Sequence, residues 1–356
     1  MRTTSGRSKA QAQEVEPEMD QNLHVSAPFV TIRDWKHVDG RSWDRFALDW
    51  GGSYRGSRRH ALAWSAKRGW RTRVRFIEVW RNVEGGSAPR KTAQVVVALS
   101  GGEGAFLDRL VVGGEDPLDW ISCMQSVIQR LPSGTYTYGW DLNTEAAREG
   151  DISALSGVEV VGVRPLIVHV VEFATWSSWD DYYRAMSTNV RRNVKKAHQE
   201  FEELRVVHGE GWRAIRLVRA LLRLRTDMYE RKGLRFREGA AFINSLANAL
   251  VGSGHFFTSV AAAGPMPLAA VSGVVFGGTT YYMEGGSSSD NRGASWFLLV
   301  DMLRRAYQRD PLGRVVMGYL DPSTHDEELG GGLLRSRRSC RVTNIETSIV
   351  RFVWNS

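Results

Sequence analysis

Cysteine is nearly absent. The 356-residue chain holds two, Cys123 and Cys340, far apart and outside any CxxC or Cys/His spacing. That excludes a zinc ribbon and a disulfide framework, and it fits a reducing compartment. The eight histidines are scattered, with no HExxH and no pair at helical spacing, so neither a catalytic metal nor a bound cofactor is expected. Long hydrophobic runs are missing too: stretches such as Pro165 to Val171 are far too short to span a bilayer. Met1 to Asn22 lacks the apolar centre of a secretory signal, so residues 1–27 are expected to form a disordered tail and the protein to stay in the cytoplasm.

What is present is ordinary globular composition, 42% hydrophobic and 24% charged, in a chain long enough for two domains. Net charge is +8, and its location is informative. Between Ser187 and Arg237 fourteen Lys or Arg face six Asp or Glu, so that the rest of the chain is about neutral. One local basic surface therefore meets something anionic.

Periodicity gives helices over Arg41 to Trp50 and Arg59 to Arg68, and a half-buried strand over Trp70 to Trp80. A strand over Lys91 to Leu99, a helix over Pro117 to Leu131 and a strand over Gly134 to Leu142 follow, then a polar stretch from Thr144 to Leu155. Val158 to Val171 is β-rich and leads into the second half. There Ser187 is an N-cap, Gly211 to Lys232 a helix stopped by Gly233, and Arg237 to Val251 another helix. Three strands, His255 to Ala262, Leu268 to Phe276 and Thr279 to Glu284, precede a Gly/Ser/Asn loop at Gly285 to Gly293 and a helix at Ala294 to Gln308. Arg314 to Met317 and Thr343 to Trp354 close the sheet. The order helix, helix, strand, strand, strand, loop, helix, strand is that of an N-acetyltransferase-type fold. The fold class expected is mixed α/β: two tandem GNAT-like domains, 28–160 and 161–356, each a largely antiparallel sheet flanked by helices, with no long coiled-coil arm.

Four segments carry a more specific resemblance. Ser187-Thr188-Asn189-Val190-Arg191-Arg192-Asn193-Val194-Lys195-Lys196-Ala197 is similar to the S-x-x-x-R-x-N-[IL]-[RK]-x-A helix of the FemXAB family of aminoacyl-tRNA-dependent transferases. Met228-Tyr229-Glu230-Arg231-Lys232-Gly233-Leu234 resembles that family's [TY]-x-x-R-[DK]-G turn, and Tyr281 to Ser287 its Y-x-[YF]-G-[AG]-S strand end. Val316-Met317-Gly318 with the later basic run Arg335-Ser336-Arg337-Arg338 is the fourth. In the first half, the segment from Trp64 to Trp70, with Lys67, resembles a Trp, Lys, Gly-Trp element. The chain departs from the pattern in placing Ser336-Arg337 where the family has Phe-Lys, and Glu284 where an aromatic is usual.

The resemblance implies aminoacyl transfer from tRNA to an amine or hydroxyl of a small or nucleotide-linked acceptor, a natural-product intermediate or peptidoglycan precursor, by a monomer. It implies acceptor contacts at Lys67, Arg191, Asn193, Lys195, Tyr229, Arg231 and Tyr281. Donor contacts fall at Gly285, Ser287, Arg292, Gly293, Arg335 and Arg338, joined by an arginine stripe at Arg216, Arg219 and Arg223. That stripe is either a phosphate-tracking surface or a solvated face. Glu284, with Tyr282 expected on the same strand face, is either the proton acceptor, a solvated strand-end carboxylate or an ion-pair partner of Arg292. Arg337 completes the catalytic set, at the donor phosphate or the developing oxyanion. The alternative on the same fold is an acyl-CoA-dependent N-acyltransferase. The GNAT pyrophosphate loop, however, appears only as Ser289-Asp290-Asn291-Arg292-Gly293-Ala294, a poor match. A third possibility is a non-catalytic nucleic-acid-binding protein that keeps the double fold for its basic face.

Overall fold

The computed structural model describes residues 28–69, 72–82, 88–114, 117–139, 149–251, 255–322 and 334–355. The expected tail at 1–27 and parts of the strands expected at Trp70 and Leu142 lie outside these residues. In chain order the first half comprises β1 (Phe29–Arg33), α1 (Gly40–Asp49), α2 (Arg58–Arg68), β2 (Arg73–Arg81), β3 (Arg90–Ser100), β4 (Glu103–Phe106), β5 (Val111–Val112), α3 (Pro117–Ile128), β6 (Gly134–Tyr138) and α4 (Glu149–Ser153). The second comprises β7 (Val158–Glu172), α5 (Trp179–Ala185), α6 (Thr188–Glu200), β8 (Leu204–Glu210), α7 (Ile215–Arg231), α8 (Glu238–Leu250), β9 (Phe256–Ala263), β10 (Met266–Phe276), β11 (Thr279–Ser287), α9 (Ala294–Arg309), β12 (Arg314–Leu320) and β13 (Thr343–Trp354). A short helix at 334–339 lies just before β13.

Capping chemistry sets several boundaries. The Ser187 hydroxyl accepts from the Val190 amide at the start of α6. Past the end of α7, Gly233 takes φ 65° and its amide donates to Glu230, while Leu234 reaches back to Tyr229. Along α7, Val218, Leu221, Leu222 and Leu224 are buried and Arg216, Arg219 and Arg223 exposed, the division that 3.6-residue periodicity demands. At 17 residues α7 is the longest helix among the described residues.

All strands join one mixed sheet in the order β1-β2-β3-β4-β6-β13-β7-β12-β11-β10-β9-β8, with β5 on β3. β7 runs unbroken through residue 160, and β13 pairs along its whole length with β7 and, over Val350–Trp354, also with β6. Helices cover both sides. One face of the second half buries Val171, Leu298, Leu303 and Met317 under α9 and α6; the other buries Val218, Leu222, Val274 and Tyr281 under α7 and α8. The first half packs Ile77, Val95, Met124 and Ile128 around Phe352 and Trp354 of β13. β2 was expected to be half-buried, but Ile77, Glu78 and Val79 are all buried, because α3 covers one side of the sheet while Phe76 packs with Trp43 and Ala61 on the other. Short elements without strong periodicity, β1, β4, β5, α5 and β8, escaped the sequence reading.

Candidate active site

β11 and β12 are hydrogen-bonded in parallel only at Thr279–Arg314, Thr280–Val315 and Tyr281–Val316. Beyond Tyr281 they splay: β11 continues to Ser287, while β12 kinks between Val316 and Tyr319 and follows β7. The kink contains Gly318 at φ 100°, a value that favours glycine. The gap holds a cavity of about 880 Å³ that reaches both faces of the sheet, walled by α7 on one side and α9 on the other.

A second irregularity sets which side chains meet there. Gly273 of β10 pairs with Tyr282 and Ser272 with Glu284, leaving Met283 as an extra residue on β11. Such a bulge breaks side-chain alternation. Tyr282 packs with the α9-side core, whereas Tyr281 and Met283 pack with the α7-side core. Glu284 also turns to α7, its Oε2 2.7 Å from Nη1 of Arg225. Tyr282 and Glu284 therefore do not share a face, and the partner of Glu284 is not Arg292. Arg225 is itself held over the Phe236 ring, 4.8 Å from its centroid. Burial pushes the Tyr282 hydroxyl pKa up, so it remains a proton-bearing group at neutral pH.

Arg337 is only 5% exposed. Its Nη1 donates to the Tyr319 carbonyl at 3.1 Å and to Nδ1 of His169 at 3.2 Å, while its buried Nε has no hydrogen-bond partner among the described residues. Burial and the adjacent guanidinium push the His169 pKa down to about 4, so the imidazole is neutral and can accept this bond. Burial lowers the Arg337 pKa, yet a guanidinium keeps its charge. Arg337 thus offers fixed positive charge in the cavity wall.

The first half completes the wall. Buried Asp108 accepts from the amides of Ser53 at 2.8 Å and Gly56 at 3.1 Å, pinning the turn that carries Tyr54 and Arg55 into the cavity. Tyr54 meets Tyr281 edge-on with ring centroids 4.6 Å apart. Behind this turn, Lys67 donates to Asn248 Oδ1 at 2.7 Å. Burial pushes its pKa down to about 8, against the attraction of Glu284.

Of the residues singled out from sequence, Glu284, Tyr282, Arg337, Tyr229, Tyr281, Gly285 and Ser287 line the cavity. Arg231 donates to the Ser287 carbonyl at its edge. Lys67 stands behind the wall. Arg191, Asn193 and Lys195 lie on α6, outside the lining, where the Asn193 amide turns back to Asn189. Arg292 is paired with Glu200 at 2.6 Å and Asp290 at 2.8 Å. Gly293, at φ 98°, lies against the Asn193 carbonyl, so that α9 and α6 pack closely. Arg335 and Arg338 are exposed on the turn that buries Arg337. Arg216, Arg219 and Arg223 occupy the side of α7 opposite Arg225, Met228 and Tyr229 and so face away from the cavity. Tyr54, Arg55, His169, Arg225 and Tyr319 were missed. Arg225 had one legible signal: it lies off the arginine stripe and four residues before Tyr229. Among the described residues no group of three His, Cys, Asp or Glu is placed to hold a metal ion.

Residues 185–321 match the family model of the acetyltransferase (GNAT) domain. Among solved structures the chain is similar to FemX, with 12% identity and a TM-score of 0.66 over 89% of this chain and 96% of that one. The fold is therefore similar to that of FemX, and its second half carries the GNAT-domain match. Similar too are a conserved protein of unknown function from Bacteroides thetaiotaomicron (11% identity, TM-score 0.54, 92% of this chain and 100% of that) and L-PGS from Bacillus licheniformis (11%, 0.50, 88% and 91%). No curated protein matches the chain by sequence at a significant level. Among the described residues no helix is long and apolar enough to cross a membrane.

Proposed function

We propose that this chain is an acyltransferase moving an aminoacyl group from tRNA to an amine or hydroxyl of a small acceptor held in the β11–β12 cavity. Two GNAT-like units, 28–160 and 161–356, share the one sheet, and both contribute to the wall. The observation that carries the reading is Arg337, a buried guanidinium fixed in the wall of the splayed-strand cavity by the Tyr319 carbonyl and His169. In the reaction the acceptor nitrogen or oxygen forms a bond to the ester carbonyl carbon, and the bond to the tRNA ribose oxygen breaks. Negative charge gathers on the carbonyl oxygen, where a preorganised guanidinium is most effective. Glu284 takes the proton of the attacking group, with Arg225 fixing its orientation, and the leaving ribose oxygen receives a proton in turn. Arg335 and Arg338, exposed beside Arg337, meet the tRNA backbone.

Tandem GNAT-like topology alone would equally suit acyl-CoA, and the match of residues 185–321 to a GNAT acetyltransferase domain favours that second reading. Against it stands the loop before α9. Glu200 and Asp290 flank Arg292, so local acids engage the loop's arginine beside the helix N-terminus where a pyrophosphate would bind. The deciding experiment supplies bulk charged tRNA with a radiolabelled amino acid, with and without ribonuclease. Loss of transfer on ribonuclease treatment supports the tRNA donor; turnover with acetyl-CoA that ribonuclease leaves untouched establishes the second reading.

A further inference from the structure

The α8 helix is inside out. Its buried positions are Ser245 and Ala249, while Phe242, Ile243 and Leu250 are 43%, 59% and 54% exposed. A surface helix normally turns its large apolar side chains inward. α8 packs beside α7, and the six residues 232–237 that join them make the pair antiparallel. The outward face of α7 next to it carries Arg216, Arg219 and Arg223, all exposed and without an ion-pair partner among the described residues. Trp212, just before α7 and 56% exposed, lies under the guanidinium groups of Arg213 and Arg216. The carboxylates of the two helices, Asp227, Glu230 and Glu238, gather at the other end, where α7 turns into α8. Between 211 and 251 nine Lys or Arg face three acids, so this layer holds most of the chain's net charge of +8.

We propose that the outer α7–α8 face docks on an anionic lipid bilayer. An apolar strip beside unpaired arginines is the pattern of an interfacial surface, in which side chains such as Ile243 and Leu250 enter the headgroup boundary and the guanidinium groups meet lipid phosphates. Nucleic acid is the weaker fit. Aliphatic Ile and Leu cannot stack on bases, and Trp212 is already engaged by two cations.

The full chain is floated with vesicles of phosphatidylcholine alone and of phosphatidylcholine with one third phosphatidylglycerol. Binding to the anionic vesicles only, weakening as salt rises, is expected. Each arginine close to an anionic leaflet strengthens binding about fivefold, so R216Q/R219Q/R223Q lowers the partition coefficient by about a hundredfold. I243D/L250D abolishes flotation with the circular dichroism spectrum and solution activity unchanged, which separates lost docking from lost folding. Equal recovery from both vesicle types, or undiminished flotation of I243D/L250D, overturns the proposal. So does loss of tRNA binding in R216Q/R219Q/R223Q when the parent protein shows no flotation, which would make this face a nucleic-acid surface.

Discussion

Tyr282 and Glu284 stand two residues apart on β11 and point to opposite sides of the sheet, because Met283 is an extra residue between them. The carboxylate consequently sits with Arg225 on the α7 side of the cavity, and the phenol with the α9-side core. Glu284→Gln keeps the shape and removes the proton acceptor. Single-turnover transfer should slow by about a hundredfold or more while donor affinity holds. Near-normal rates would take Glu284 out of the chemistry and leave the proton to water or substrate.

Arg337→Ala should weaken donor binding and turnover together, since a charge-assisted contact contributes about 1.5–3 kcal/mol. Arg337→Lys restores the charge and should recover much of the loss. Gly318→Ala tests the same group from outside: a Cβ there would lie 2.6 Å from Nη2 of Arg337, on a backbone with φ 100°. It should reproduce part of the Arg337→Ala defect, and unaltered kinetics would show that the guanidinium position is not critical.

Lys67 offers a pH signature. Its folded-state pKa lies near 8, below the ordinary 10.5, so the unfolded chain holds this proton more tightly and folding stability rises between pH 8 and 10.5. Competitive acetylation with trace reagent should give Lys67 a reactivity midpoint near pH 8. Because Glu284 raises the value, Glu284→Gln should shift the midpoint lower. A midpoint typical of surface lysines would mean the amine reaches water freely.

Asp108 lies in the first half, yet it should matter to the site. Asp108→Ala leaves the Ser53 and Gly56 amides buried without an acceptor, at a cost of about 1–3 kcal/mol. The turn bearing Tyr54 and Arg55 loosens, so KM for the acceptor should rise in a variant that still folds. Calorimetry with a substrate titration separates the two effects, and a stability loss with unchanged KM would confine Asp108 to packing.

Most of the second half was legible because its elements are long and strongly periodic, as the bounds of α6, α7 and α9 show. The strand-loop-helix arrangement around Tyr281–Ala294 was legible through its motif. Side-chain direction within it was not. The bulge at Met283 is imposed by pairing with Ser272 and Gly273, residues on another strand, and no local pattern encodes it. The same holds for Tyr54 and Arg55, which reach the cavity only because Asp108, more than fifty residues later, anchors their turn. Arg225 was hidden by neighbouring arginines of the same helix, and only its angular position on α7 separates it from them.

β13 belongs to both halves: Thr343–Trp354 pairs with β7, while Val350, Phe352 and Trp354 lie in the core that also holds Val95 and Met124. During synthesis the first half therefore waits with an open sheet edge at β6 and an unfilled core until more than two hundred further residues have emerged. That contact is among the most non-local in the chain, and closing it late should make it a slow folding step. A ribosome-bound nascent chain arrested before β13 should expose its first half to protease and to hydrophobic dyes, whereas with β13 in place the same half is sealed by a strand from beyond the whole second half.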